Sequence, residues 1–223
     1  MSKPIVVIPA RGGSKRLPQK NILPLGGIPL IAHSILYAKK FSHLISEIYV
    51  STNDTQIAKV AIEYGAEVIE RPEAISGDQS PTSETLQHAV LEARHEPDAV
   101  ILLQPTNPIR PDSLLEDALS VFNEKQCDSL LTVSLFQEKL GKIAGDCFEP
   151  FNYEFGQRSQ DLEPLYQENG LLYITKTAFI KEGIILADRN YSYIVDANFP
   201  LVDIDTEKDF NYAKFILKSQ EKK

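Results

Sequence analysis

Short continuous apolar runs alternate along this chain with longer amphipathic stretches. Ile5–Pro9 is the first run and predicts a buried strand that empties into a glycine-rich loop. Pro29 stands where a first helical residue would, and Leu30, Ile31, His33, Ser34 and Leu36 carry a helix to about Phe41. Residues 47–51 predict the next strand, and Asp54 predicts the cap of a helix that stops at Gly65. Residues 66–70 read as a strand, residues 81–94 as a helix entered through Ser80, and residues 99–104 as a fourth strand. Asp112 is the expected cap of a helix whose Leu114, Leu115, Ala118, Leu119 and Phe122 share one face. Residues 129–134 follow as a fifth strand.

Strands that alternate with helices of this length imply βαβ units, so the expected fold is a three-layer αβα sandwich around a mostly parallel, Rossmann-like sheet. The pattern breaks over residues 135–169, which are polar, hold Gly141, Gly145, Pro150, Gly156 and Pro164, and lack a helical period. A stretch this long predicts a β-rich arm inserted into one domain of residues 1–223, with oligomerisation as its role. The pattern resumes with a strand over 171–175, a helix near 177–182, the apolar Ile184, Ile185 and Leu186, and an extended run over 201–205. Thr206 and Asp209 have the spacing of a capping box for a last helix, and residues 218–223 read as a disordered tail.

Composition agrees with one globular unit: 223 residues, 43% apolar and 24% charged, with no Trp. No apolar stretch approaches a bilayer span or a secretory core, and the two cysteines, Cys127 and Cys147, form no metal-binding motif, so the cytoplasm is the expected location. The net charge of −8 excludes a typical nucleic-acid binder. Its distribution is more informative. Residues 1–46 contain Lys3, Arg11, Lys15, Arg16, Lys20, Lys39 and Lys40 but no Asp or Glu. Four of these cations crowd the first loop, which suits a compact polyanion such as a nucleoside triphosphate.

That loop reads Arg11-Gly12-Gly13-Ser14-Lys15-Arg16-Leu17-Pro18-Gln19-Lys20-Asn21. Adjacent glycines let backbone N–H groups turn toward one anion, and Arg11, Lys15 and Lys20 can neutralise it. The loop has neither the Walker A nor the dinucleotide pattern, and the next helix starts only near Pro29. A second loop, from Gln104 through Pro105-Thr106-Asn107-Pro108-Ile109-Arg110, lies where ligands of open α/β sheets bind. In Val202-Asp203-Ile204-Asp205-Thr206, alternation on a strand would put both carboxylates on one face with Cα atoms about 6.8 Å apart, able to share a divalent cation or to divide labour as ligand and base.

The opening loop, the segment Leu102–Arg110 and the late Asp203-Ile204-Asp205 run together resemble the acylneuraminate cytidylyltransferases, the synthetases of CMP-sialic acid and its nonulosonic relatives, over about residues 3–215. The resemblance implies transfer of CMP from CTP to a nine-carbon 2-keto sugar acid, with Mg²⁺, or Mn²⁺ in its place, and release of pyrophosphate. By motif, Arg11, Gly12, Gly13, Ser14, Lys15, Lys20 and Asn21 would hold the nucleotide, with Arg71 and Thr82 at the cytidine. Gln104, Tyr173, Lys142 and Arg158 would meet the sugar, the last two from an arm that makes a homodimer. Asp203 and Asp205 would hold the metal, and these two acids with Arg11 and Lys20 would carry the chemistry. Many members have a doubled Arg before Gln-Asp where this chain reads Arg158-Ser159-Gln160-Asp161, and some have two aromatics where Ile184-Ile185 stands. Two rival functions share the fold: transfer to a sugar 1-phosphate, and silent binding of a nucleotide sugar.

Overall fold

Residues 5–9 have no polar side chain, and in the computed structural model, which describes residues 3–220, they form β1 (Ile5–Pro9) in the sheet interior. The chain continues through β2 (Pro24–Leu25), β3 (Ile28–Pro29), α1 (Leu30–Lys39), β4 (Ile48–Thr52), α2 (Thr55–Glu63), β5 (Glu67–Glu70), α3 (Thr82–Glu92) and β6 (Ala99–Leu102). Then come α4 (Leu114–Lys125), β7 (Ser129–Phe136), β8 (Gly141–Ala144), β9 (Cys147–Pro150), β10 (Leu165–Lys176), α5 (Thr177–Lys181), β11 (Asn190–Val195) and α6 (Glu207–Gln220).

Seven strands form one sheet in the order β11-β7-β10-β6-β1-β4-β5. Strands joined by crossover helices are parallel, β1 with β4 and β6, and β4 with β5. β10 returns from the inserted arm instead, so it runs antiparallel between β6 and β7. Alternation along β1 sends Val6 and Ile8 to a face packed by Ile31, Ile35, Ile57, Leu115 and Phe122, whereas Ile5 and Val7 meet Leu86, Ala89, Val90 and Ile180 on the other. The sandwich is therefore the three-layer αβα arrangement. Each fully buried Ile or Leu contributes about 1.5–3 kcal/mol, which is what holds the layers together. A third cluster seats Phe210, Ala213 and Ile216 of α6 on Val202, Ile204, Leu17 and Leu25, and so fixes the first loop against the 201–205 segment.

Helix N-termini follow local chemistry at α2 and α6 but not at α3 and α4. Asp54 caps α2 by accepting from the N–H groups of Gln56 and Ile57, at 2.8 and 3.1 Å. Asp112 does not cap α4. It pairs with Lys40 at 2.9 Å, while the Leu114 N–H donates to the Pro111 carbonyl and the Leu115 N–H to the Tyr37 hydroxyl. α3 begins at Thr82 without a side-chain cap, so Ser80 has no such role. At α6 the box forms: Asp209 Oδ2 accepts from the Thr206 N–H and hydroxyl, both at 2.8 Å, and the Asp209 N–H points back to Thr206 Oγ1.

The hydroxyl of Thr206 holds the Asp209 carboxyl below the usual carboxylate range. A lowered folded pKa places this contribution above the unfolded value of about 3.9 and removes it as pH falls through the folded value. Asp209→Ala is therefore expected to lower stability by about 1 kcal/mol at neutral pH. In urea melts the gap between wild type and variant should close in acid; a gap that persists there would refute the cap as its cause.

The structure departs from the sequence reading at four further places. Residues 201–205 are extended but belong to no ladder; a single backbone bond, Ile204 N–H to the Thr106 carbonyl at 2.8 Å, ties them to the second loop. The edge strand β11, with Tyr191 and Tyr193 packed on the core, has no counterpart in the sequence reading. Residues 218–220 continue α6, whereas 221–223 lie outside the described residues. Residues 133–136 and 165–168 pair at the arm-side ends of β7 and β10, so the projecting piece is 137–164, containing the β8–β9 hairpin. Among the described residues no helix is long and apolar enough to cross a membrane.

Candidate active site

β1 delivers the first loop to the C-terminal edge of the sheet. At Gly12 the backbone passes so close to α2 that a Cβ would stand 3.0 Å from Asp54 Oδ2, and its N–H donates to Asn53 Oδ1 at 3.0 Å. Gly13 has φ +71°, which glycine adopts without strain. Asn21 closes the loop by donating to the Arg11 carbonyl at 3.1 Å. These ties hold open a cleft of about 360 Å³ whose lining includes Arg11, Ser14, Lys15, Lys20, Asp78 and Asp205.

Two acids answer four cations there. Asp78 pairs with Lys15 and, at 2.6 Å, with Arg11, and those partners, Lys15 foremost, hold its carboxyl below the usual range. Asp205 pairs with Arg16 at 2.7 Å and with Lys20 at 3.0 Å. Lys20, its side chain only 13% exposed, also donates to the Ile204 carbonyl at 2.9 Å. The cleft therefore carries an excess of positive charge, as a site for a small polyanion requires.

A second cleft of about 400 Å³ adjoins it, lined by Gln104, Asn107, Glu168, Gly170, Tyr173 and Asp203 among others. The 104–107 and 203–205 segments form the common wall, because Pro105, Thr106 and Asp205 line the first cleft while Gln104, Asn107 and Asp203 line the second. Asn107 ties these segments to β10 by donating to the Val202 and Asn169 carbonyls, at 3.1 and 3.2 Å. The far side is a bulge: the β10–β7 register breaks between Glu168 and Tyr173. Asn169 secures it, accepting from Thr132 Oγ1 at 2.6 Å and from the Leu171 N–H at 3.2 Å and donating to Ser134 Oγ at 2.9 Å. At Gly170, φ +72°, a Cβ would lie 2.8 Å from Gln104 Oε1, so the turn requires glycine. Tyr173 donates its hydroxyl to Glu168 Oε2 at 3.1 Å, and burial foremost, with Glu168 and Asp203 nearby, pushes its pKa up.

The pairing of the two late aspartates changes accordingly. Val202 and Ile204 are buried and Asp203 and Asp205 face outward, as alternation requires, yet one carboxylate lines each cleft. Among the described residues no group of three His, Cys, Asp or Glu side chains is placed to hold a metal. Magnesium commonly takes one or two protein carboxylates and completes its shell with substrate phosphates and water. Asp205, beside cations suited to phosphate, fits an ion that arrives with a triphosphate.

Other expected site residues stand elsewhere. Arg71 is buried and donates to Ser51 Oγ at 3.1 Å and the Ser51 carbonyl at 2.6 Å; burial lowers its pKa to about 10. Neither Arg71 nor Thr82 lines either cleft. Lys142 stacks 5.6 Å above the Phe151 ring and Arg158 is bidentate to Asp161 at 2.7 and 3.1 Å, both on the arm and outside both clefts of their own chain. Ile184 and Ile185 line neither cleft, and Ile185 packs on the sheet-face cluster that contains Tyr173. Arg110 is a buried clamp, donating to the Leu171 and Gln104 carbonyls and Ser34 Oγ, at 2.7, 2.8 and 3.1 Å. Asp78 and Glu168 are additions to the site. The Asn169-Gly170 turn signal beside Glu168 could have marked the bulge; nothing near Asp78 in the chain marks its partners.

A family model described as cytidylyltransferase matches residues 5–214. The chain is 32% identical over 221 residues to the N-acylneuraminate cytidylyltransferase of Streptococcus agalactiae serotype III (strain NEM316), covering 93% of this chain and 52% of that protein, so it spans about half of that relative's length. It is 31% identical over 226 residues to the pseudaminic acid cytidylyltransferase of Campylobacter jejuni serotype O:23/36 (strain 81-176), with 97% of each covered. The fold is shared with a solved CMP:2-keto-3-deoxy-manno-octonic acid synthetase complexed with CTP, at a TM-score of 0.73 and 16% identity over 98% of this chain and 100% of that one.

Proposed function

The chain belongs to the cytidylyltransferase family, and from that premise we propose that it transfers CMP from CTP to the anomeric hydroxyl of a nine-carbon 2-keto sugar acid, releasing pyrophosphate. The observation that carries this reading is the shared wall between a cationic cleft and an uncharged-to-acidic one. The triphosphate takes over Arg11 and Lys15 from Asp78, and Lys20 and Arg16 meet the same charge across the cleft. Ser14 lines the phosphate side, the Gly12-Gly13 turn shapes the loop with the Gly12 N–H given to Asn53, and Asn21 holds the loop shut. Arg71 and Thr82 act on the cytidine through the segments they support.

Asp205 would hold Mg²⁺, or Mn²⁺ in its place, together with the phosphates, and the ion would supply charge neutralisation at the phosphoryl oxygens. The sugar acid occupies the second cleft against Gln104 and Tyr173. Its anomeric oxygen forms the new bond to the α-phosphorus, the bond to the β-phosphate oxygen breaks, and Asp203, on the sugar side of the wall, accepts the hydroxyl proton. Both cysteines are free, which suits the cytoplasm. The test is a panel of unphosphorylated nine-carbon keto acids with CTP and magnesium, scored for pyrophosphate. Release only with sugar 1-phosphates would establish the first rival, and binding of CMP-sugar without release the second.

The second cleft has no Lys, Arg or His in its lining, whereas its ligand is an anion. The arm offers Lys142 and Arg158, and it exposes Ile143, Phe148, Phe151 and Phe155 to solvent. These features support a homodimer in which the arm covers the partner's sugar cleft. An interface above about 1,000 Å² is expected. Light scattering at micromolar concentration should give a dimer; a monomer would contradict the arrangement.

A further inference from the structure

We propose that Glu168 is a specificity-determining residue, one that selects keto acids presenting a neutral hydrogen-bond donor, a hydroxyl or an acylamino N–H, to the bulge side of the second cleft. The inference rests on the reading that this cleft takes the sugar acid. Glu168 and Asp203 are the charged groups in the cleft lining, and no cation accompanies them there. A substrate carboxylate turned toward these acids would face like charge, so that end of the ligand points away and a donor-bearing end meets Glu168.

The bulge makes this demand stringent. Glu168 is the last paired residue before the register break, opposite Val133, and the turn behind it is held by three hydrogen bonds of Asn169 and by a Gly170 position with no room for a Cβ. The carboxylate is further steadied by the Tyr173 hydroxyl on Oε2. An ionised carboxylate has about four acceptor positions, so one donor from Tyr173 leaves capacity for a ligand. A positioned acceptor that loses its partner is penalised more than one that can relax, which makes the site discriminate by absence.

The test measures kcat/KM for an accepted keto acid and for analogues that each lack one donor, by deoxygenation or by replacing N–H with O. For one of these donors, wild type should lose about 10- to 100-fold, the range for a hydrogen bond to a charged group. Glu168→Ala should lose less than about 3-fold for the same deletion, with the difference mainly in KM. Glu168→Gln, which keeps an acceptor for Tyr173, should fall between, and Tyr173→Phe should retain the penalty because the carboxylate remains. Equal penalties in wild type and both Glu168 variants, at every donor, would overturn the assignment while leaving the cytidylyl-transfer reading in place. No pyrophosphate from any keto acid with wild type would refute that reading and this inference with it.

Discussion

Lys20→Ala is expected to lower turnover at saturating CTP by about 10²-fold or more while leaving the fold intact. Lys20 is the most enclosed of the loop cations, and its Nζ is held by Asp205 and the Ile204 carbonyl at the wall between the clefts. On the proposed reading, a cation there would face the phosphates of the nucleotide at the wall shared with the sugar cleft. Negative charge grows on the phosphoryl oxygens as the bond to pyrophosphate breaks, and a preplaced ammonium meets it without reorganisation. Asp205 is partly exposed and keeps Arg16 as a partner, so the change leaves no buried charge unpaired. Circular dichroism should therefore match wild type. Unchanged turnover at saturating CTP would exclude a catalytic part for Lys20.

Asp205→Asn should cost more, about 10³-fold or beyond in magnesium-dependent turnover, because it removes the carboxylate of the cationic cleft that best fits the metal. CTP binding should persist or tighten, since Lys20 and Arg16 lose a competing anion. That split between binding and turnover separates a chemical part from a merely electrostatic one. Asp203→Asn should behave differently, for its carboxylate lines the other cleft. CTP binding should be nearly unchanged, turnover should fall by about 10²–10⁴-fold, and the loss should shrink at high pH as the anomeric hydroxyl deprotonates more readily. Near wild-type CMP-sugar formation by both variants would move the chemistry to other acids.

Much of the cationic cleft was legible in the sequence because its donors are neighbours in the chain. Arg11 through Asn21 is one loop, and its glycines, charges and closing Asn sit within eleven positions. The second cleft is assembled from residues near 104, 168 and 203, and its shape depends on the bulge between Glu168 and Tyr173. Such a bulge is set by pairing with β7, whose Thr132 and Ser134 supply the hydrogen bonds that stabilise it. Asp112 shows the reverse case. Its position reads as a cap, yet Tyr37 on α1 supplies the hydroxyl that meets the helix N-terminus.

By itself the chain's order of residues determined what short range decides: β1 and its glycine loop, the Asp54 and Thr206–Asp209 caps, and the alternation that turns Asp203 and Asp205 away from the core. Local torsional preference and the two-residue period of extended backbone suffice for these. Tertiary structure decided the antiparallel entry of β10 between β6 and β7, the burial of Arg71 and Arg110 as clamps, the pairing of Asp78 with Arg11 and Lys15, and the division of the two aspartates between clefts. The physical reason is that burial and long-range hydrogen bonds are shared between segments 20 to 189 positions apart, and their free energy exists only once the sheet has brought those segments together.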